Sequence, residues 1–284
     1  MPVTDLPELV KRLTDGTVFN ESGSSAGNPQ NVFFQRGERS TTAALTAPVA
    51  GRWSSLWTAV GEPPHGDWPG VAPSNPTNAT SGALAQTDAS GANKLWCLGG
   101  AFSNTQAGDI LVYDRLLHIS GLNGTSVVRQ AVGGTITRNV MGSGNEPWVE
   151  IYQALGASST TGTVQYINCG GGTSTSPAFP IGNTGFNEAQ RIIRVPLQAG
   201  DGGVREVLHV RLAATTATAG NFGVTVARPL FSMPSVFIGV GYRDLICSSP
   251  GPVVIDTGAC LALAMHAVTT TVPAVLGNLM MVEA

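Results

Sequence analysis

Three groupings in the sequence have the residue types for chemistry. His65, Asp67 and Trp68 fall within one short stretch, and a histidine beside a carboxylate can move a proton or hold a metal. Glu146 and Glu150 flank Trp148, and strand alternation can place two such carboxylates on one face, as glycoside hydrolysis needs. His118, His209 and His266 lie in strand-like runs. Each grouping has a plainer reading. The first sits in EPPHGDWPGVAPSNPTNAT (62–80), whose five prolines dictate a surface loop. In the second, Glu150 reads as the outward polar position of the alternation Trp148, Val149, Glu150, Ile151, Tyr152. The histidines have no local Ser or Asp partner that would mark a triad. The glycine run Cys169-Gly170-Gly171-Gly172-Thr173 lacks the following Lys of a phosphate loop. Cys97, Cys169, Cys247 and Cys260 form no CxxC pair and read as buried free thiols, with a disulfide as the alternative. The expectation is a protein without catalytic residues, metal or cofactor.

The elements that must carry these residues follow from composition. Charged residues are 12% and hydrophobic residues 42%, with 36 Gly and 18 Pro, which excludes a disordered chain and points to an all-β fold with many turns. Lysine occurs only at Lys11 and Lys94, and the net charge is −3, so a nucleic-acid footprint is not expected. No apolar run is long enough for a membrane helix, and MPVTDLPELVKRL lacks the apolar core of a signal peptide.

Along the chain, residues 5–15 predict a short helix. Asp5 and Glu8 form a capping box, Leu6, Leu9, Val10 and Leu13 share a face, and Gly16 ends it. Residues 17–50, with one apolar patch at Val32, Phe33 and Phe34, read either as a poorly ordered leader or as an extended arm that orders on a partner with Phe33 and Phe34 as anchors. GRWSSLWTAV (51–60) reads as a strand with Trp53 and Trp57 on one face.

Leu95–Leu117 reads as a β-hairpin, and a related pattern returns at Leu208–Leu230, an offset of 113 that also carries Arg115 onto Arg228. Trp148–Cys169 and Cys260–Val282 form a second such pair of hairpins. This order of features predicts tandem jelly-roll-like β-sandwiches after a helix and arm over 1–50, with units at 51–155 and 156–284. Arg115 and Arg228 then read as structural arginines whose planar forks reach carbonyls or a carboxylate.

The segments PELVKRLTDGT, AGRWSSLW, ALAQTDASGANKL, DILVYDRLLHISGL, PLQAGDGGVREV and DTGACLALAMHA together resemble a family of tailed-bacteriophage virion proteins. That resemblance implies a structural component of the particle, a cement or decoration protein on the head that clamps neighbouring copies of the major capsid protein. It implies a homo-oligomer, with a trimer favoured, in a virion assembled in the bacterial host cytoplasm. Leu9, Leu13, Val32, Phe33, Phe34 and Trp68 are the candidate partner contacts. The alternative is a tail or receptor-binding β-protein that recognises host polysaccharide through several exposed tryptophans.

Overall fold

The computed structural model describes residues 28–37, 46–246, 248 and 251–284, and over these the chain is all-β. The expected N-terminal helix, with Leu9 and Leu13, lies outside the described residues. In chain order the strands are β1 (Asn28–Arg36), β2 (Trp53–Ser55), β3 (Gly61–Glu62), β4 (Leu95–Asn104), β5 (Gly108–Leu122), β6 (Gln130–Ala131), β7 (Glu146–Gln153), β8 (Thr160–Asn168) and β9 (Thr173–Thr175). They continue as β10 (Phe179–Ile181), β11 (Arg191–Arg194), β12 (Val204–Leu212), β13 (Asn221–Ser235), β14 (Gly239–Asp244), β15 (Val253–Ile255), β16 (Leu261–Ala267) and β17 (Val275–Glu283).

The strands form three sheets. At the centre is a closed barrel in the order β11-β2-β16-β5-β13-β7. One outer sheet runs β14-β4-β17-β1-β3, with β15 also on β4, and the other runs β10-β8-β12-β6, with β9 on β8. Phe34, Cys97, Phe102, Leu279 and Met281 of the first sheet share a core with Val112, Met233 and Leu263 of the barrel. Val164, Tyr166, Val207 and Val210 of the second share a core with Val149, Ile151, Phe222 and Val224. A third cluster, with Trp57, Tyr113, Trp148, Ala262 and Ala264, joins the remaining faces of the barrel strands. Small Ala residues on β16 leave room there for the large rings contributed by its neighbours.

The expected hairpins are corrected by the pairing. β4 pairs with β14, β15 and β17, whereas β5 pairs with β13 and β16. β12 pairs with β6 and β8, whereas β13 pairs with β5 and β7. β7 likewise stays in the barrel while β8 enters an outer sheet, and β16 and β17 divide in the same way. All four are arches that step between layers. An apolar strand, a polar turn and a second apolar strand describe an arch as well as a hairpin, because both turns lie at the surface.

The 113-residue offset has a structural counterpart. β5 and β13 are each 15 residues long, start at 108 and 221, end at 122 and 235, and pair antiparallel with each other. The cyclic barrel order is unchanged when β5 is exchanged with β13, β7 with β16 and β2 with β11. Yet every sheet draws strands from both sides of residue 155: β4 joins β17, β6 joins β12, and β5 joins β13.

Part of the expected arm is sheet. β1 pairs with β17 along its whole length, from Asn28 opposite Glu283 to Arg36 opposite Val275.

Candidate functional site

β7 alternates between the barrel's two faces. Val149 and Ile151 enter the core under the second outer sheet, and Glu150, expected to face solvent, is buried with Arg115. A β-bulge in the β5–β13 ladder between Arg115 and Leu117 lets the Arg115 and His118 side chains meet. The Arg115 guanidinium donates from Nη2 to Glu150 Oε2 (2.6 Å) and to Tyr152 Oη (3.0 Å). It also donates from Nη1 to Tyr113 Oη (3.2 Å) and from Nε to His118 Nδ1 (2.9 Å). Tyr152 Oη and Thr225 Oγ1 donate to the same Glu150 oxygen. The guanidinium lies 4.6 Å from the Trp57 ring centroid.

This network sets its own protonation. Burial pushes the Glu150 carboxyl up, but the Arg115 charge, with hydrogen bonds from Arg115, Ser55 and Thr225, outweighs it and holds the carboxyl below the usual range. Burial and then the Arg115 charge bring His118 down to about 3, so its imidazole is neutral and serves as an acceptor. Glu150 is thus committed to Arg115. Glu146 instead accepts two hydrogen bonds from Arg194 (2.6 and 2.9 Å) and one from Trp148 Nε1 (2.8 Å). The two carboxylates are held by different arginines and do not converge as a hydrolytic pair. Arg228, the counterpart of Arg115, pairs with Asp256 at 2.8 Å in a partly exposed position.

The proline loop is fastened over this cluster. Trp57 Nε1 donates to Asp67 O (2.9 Å), Ser74 and His118 exchange backbone hydrogen bonds (2.9 and 3.1 Å), and Arg36 Nη1 donates to Pro63 O (2.7 Å). Gly66 lies flat against the Trp57 indole, where a Cβ would collide with the ring. The loop carries Trp68, half exposed, at 6.4 Å from Tyr152. Trp68 lines a cleft of about 460 Å³ together with Thr58, His65, Asp67, Tyr152 and Gln190. It also lines a second cleft of about 290 Å³ together with Trp57, Ser81 and His118. His65, Asp67 and Trp68 therefore do share a cleft. Among the described residues, no three His, Cys, Asp or Glu side chains gather as a metal site. Trp57, Trp96 and Trp148 are buried and Trp53 is half-buried, so no groove of exposed tryptophans forms.

The larger exposed feature is the outer face of the first outer sheet. Alternation along β1 sends Val32 and Phe34 into the core and turns Phe33 outward, 69% exposed. The registers place Phe33 beside Asn278, Ala101 and Tyr242, and Gln35 beside Leu276, Ser103 and Val240. Val240 and Tyr242 are 72% and 71% exposed, and Leu276 and Met280 are also exposed. The bend between β13 and β14 adds Val236, Phe237 (80% exposed) and Ile238. The sequence contains this run as VFIGVGY, but an apolar run reads the same whether a sheet or a partner covers it.

Comparison of the chain with protein-family models, with curated proteins and with solved structures returns no match.

Proposed function

We propose that the chain is a structural protein of a tailed-bacteriophage particle, a head decoration protein that binds the major capsid protein and acts as an oligomer within the virion. The observation that carries this reading is the apolar outer face built from Phe33, Val240, Tyr242, Leu276 and Met280. Several large exposed apolar side chains gathered on one sheet face mark a protein interaction site, and a clamp needs such a face on a stiff scaffold more than it needs an active site. The three-layer packing supplies the stiffness, and the buried Arg115–Glu150 cluster leaves its charges occupied inside the barrel.

The test is cryo-EM of intact particles, together with binding of the purified chain to capsids that lack it. Density on the head in hundreds of copies supports the reading, and density confined to the tail overturns it. Phe33→Lys is expected to reduce capsid occupancy at least tenfold.

A second reading is favoured by Trp68. A half-exposed indole beside Asp67, His65 and Gln190 has the chemistry to stack on and hydrogen-bond a sugar, as a tail protein reading host polysaccharide would. Copy number separates the two, since tail parts number in the tens or fewer.

A further inference from the structure

β14 ends its sheet, and among the described residues no strand pairs with its outer edge. Exposed edges are usually blunted by Lys, Pro or a bulge, because their unpaired N–H and C=O groups invite another strand. The sequence of β14 is Gly-Val-Gly-Tyr-Arg-Asp, and its outward-facing side chains in the middle are Val240 and Tyr242. Leu245 N donates to Leu98 O just beyond the strand. Alternation then directs the N–H and C=O groups of Val240 and Tyr242 away from β4.

We infer that β14 pairs antiparallel with β14 of a second copy of this chain, about a twofold axis at Gly241. This register places Val240 opposite Tyr242 of the partner subunit, and the reverse, so two aromatic/β-branched pairs form on the outer face. The groups facing the axis are the ones β4 leaves unpaired. The bend residues Val236, Phe237 and Ile238 lie beside the same edge and are covered by the partner. Edge pairing leaves the Val240 and Tyr242 side chains on the outer face, so the contact consists of the edge backbone and, at the bend, of the exposed Val236, Phe237 and Ile238. The contact is isologous and closes on itself, so it yields a dimer and not the trimer that the family resemblance implies. It joins two outer sheets edge to edge, and Phe33, Leu276 and Met280 of both copies remain on one shared outer face. The inference deepens the proposed function and rests on it only for what that joined face binds.

The test is sedimentation or light scattering of the full chain at micromolar concentration. The expected mass is twice the 29.2 kDa of one chain. Tyr242→Lys puts two charges into the pairs, and Val240→Pro removes an edge donor. Each is expected to raise the dimer dissociation constant at least tenfold, with the far-UV circular dichroism of the parent. Phe33→Lys, on the face but away from the edge, is expected to stay dimeric while losing capsid occupancy. A parent that is monomeric or trimeric at 50 μM overturns the inference, as does a dimer that survives both edge substitutions. Neither result bears on where the chain sits in a particle, and a dimer that ignores capsids overturns only the decoration reading.

Discussion

Arg115 and Glu150 meet at 2.6 Å although their strands are not neighbours, because β13 runs between β5 and β7 in the barrel. Both side chains are buried, so each charge depends on the other and on the hydroxyls of Tyr113, Tyr152 and Thr225. Removing one partner of such a pair strands the other. Arg115→Met is expected to lower the unfolding free energy by about 3–5 kcal/mol, and Arg115→Met with Glu150→Leu to recover most of it. Urea denaturation followed by tryptophan fluorescence measures both. A single variant within 1 kcal/mol of the parent would mean that the barrel tolerates an unpaired Glu150.

The same cluster predicts acid sensitivity that begins above the carboxylate range. His118 sits at about 3 in the folded chain against an ordinary 6.5. Between those values the unfolded chain binds a proton that the folded chain does not, so stability falls as pH falls from about 6.5. At up to about 1.4 kcal/mol per pH unit, roughly 2 kcal/mol is lost by pH 4.5. Glu150 is depressed in the folded chain, so its contribution is intact above 4.5 and is lost below it, as pH approaches its folded pKa. In urea midpoints from pH 7.5 to 4, His118→Gln should remove the slope between about 6.5 and 4.5 and leave below 4.5 only the part that Glu150 contributes. A profile unchanged by the substitution would assign the slope elsewhere.

Phe33 and Phe34 offer a test within one strand. Phe34 is buried in the core with Phe102 and Leu279, and Phe34→Ala is expected to cost about 3–5 kcal/mol. Phe33→Ala should stay within about 0.5 kcal/mol of the parent and act on particle binding alone. Equal losses of stability from the two would contradict the outward placement of Phe33.

Thiol labelling reports the packing directly. Burial pushes Cys97 and Cys260 up to about 12, so both should resist iodoacetamide at pH 8 in the folded chain, while the less buried Cys169 reacts. Peptide mapping by mass spectrometry distinguishes them, and rapid modification of Cys260 would show that this core opens.

The proline loop can be tested at Gly66. Gly66→Ala would drive a methyl group into the Trp57 ring, at a cost of about 1–3 kcal/mol. It should also loosen the loop over Tyr152 and shift Trp68 emission. Unchanged stability and emission would mean that the loop is not seated on Trp57.

Strand positions were legible wherever an apolar run was bounded by polar turns, as at β5 and β13. Their partners were not. Leu95 finds Glu283, and Arg115 finds Glu150 across an intervening strand, pairings that no local pattern encodes. Glu150 looked outward because alternation assigns two faces without saying which is covered. Trp68 was readable as a surface residue from its prolines, whereas the cluster beneath its loop comes from four other segments. The run at 236–242 carries its hydrophobicity openly, but only the topology shows that β14 is an edge.

The interleaving of strands has a consequence for how the molecule is made. β4 leaves the ribosome long before β14, β15 and β17 exist, and β5 long before β13 and β16. The first half of the chain must therefore wait, with unpaired apolar strands, until the last residues are synthesised. Contacts so distant in sequence close slowly, and a waiting chain is open to aggregation. Chaperone demand during synthesis, and failure of fragments cut near residue 155 to fold alone, follow from the same wiring that gives the finished barrel its shared walls.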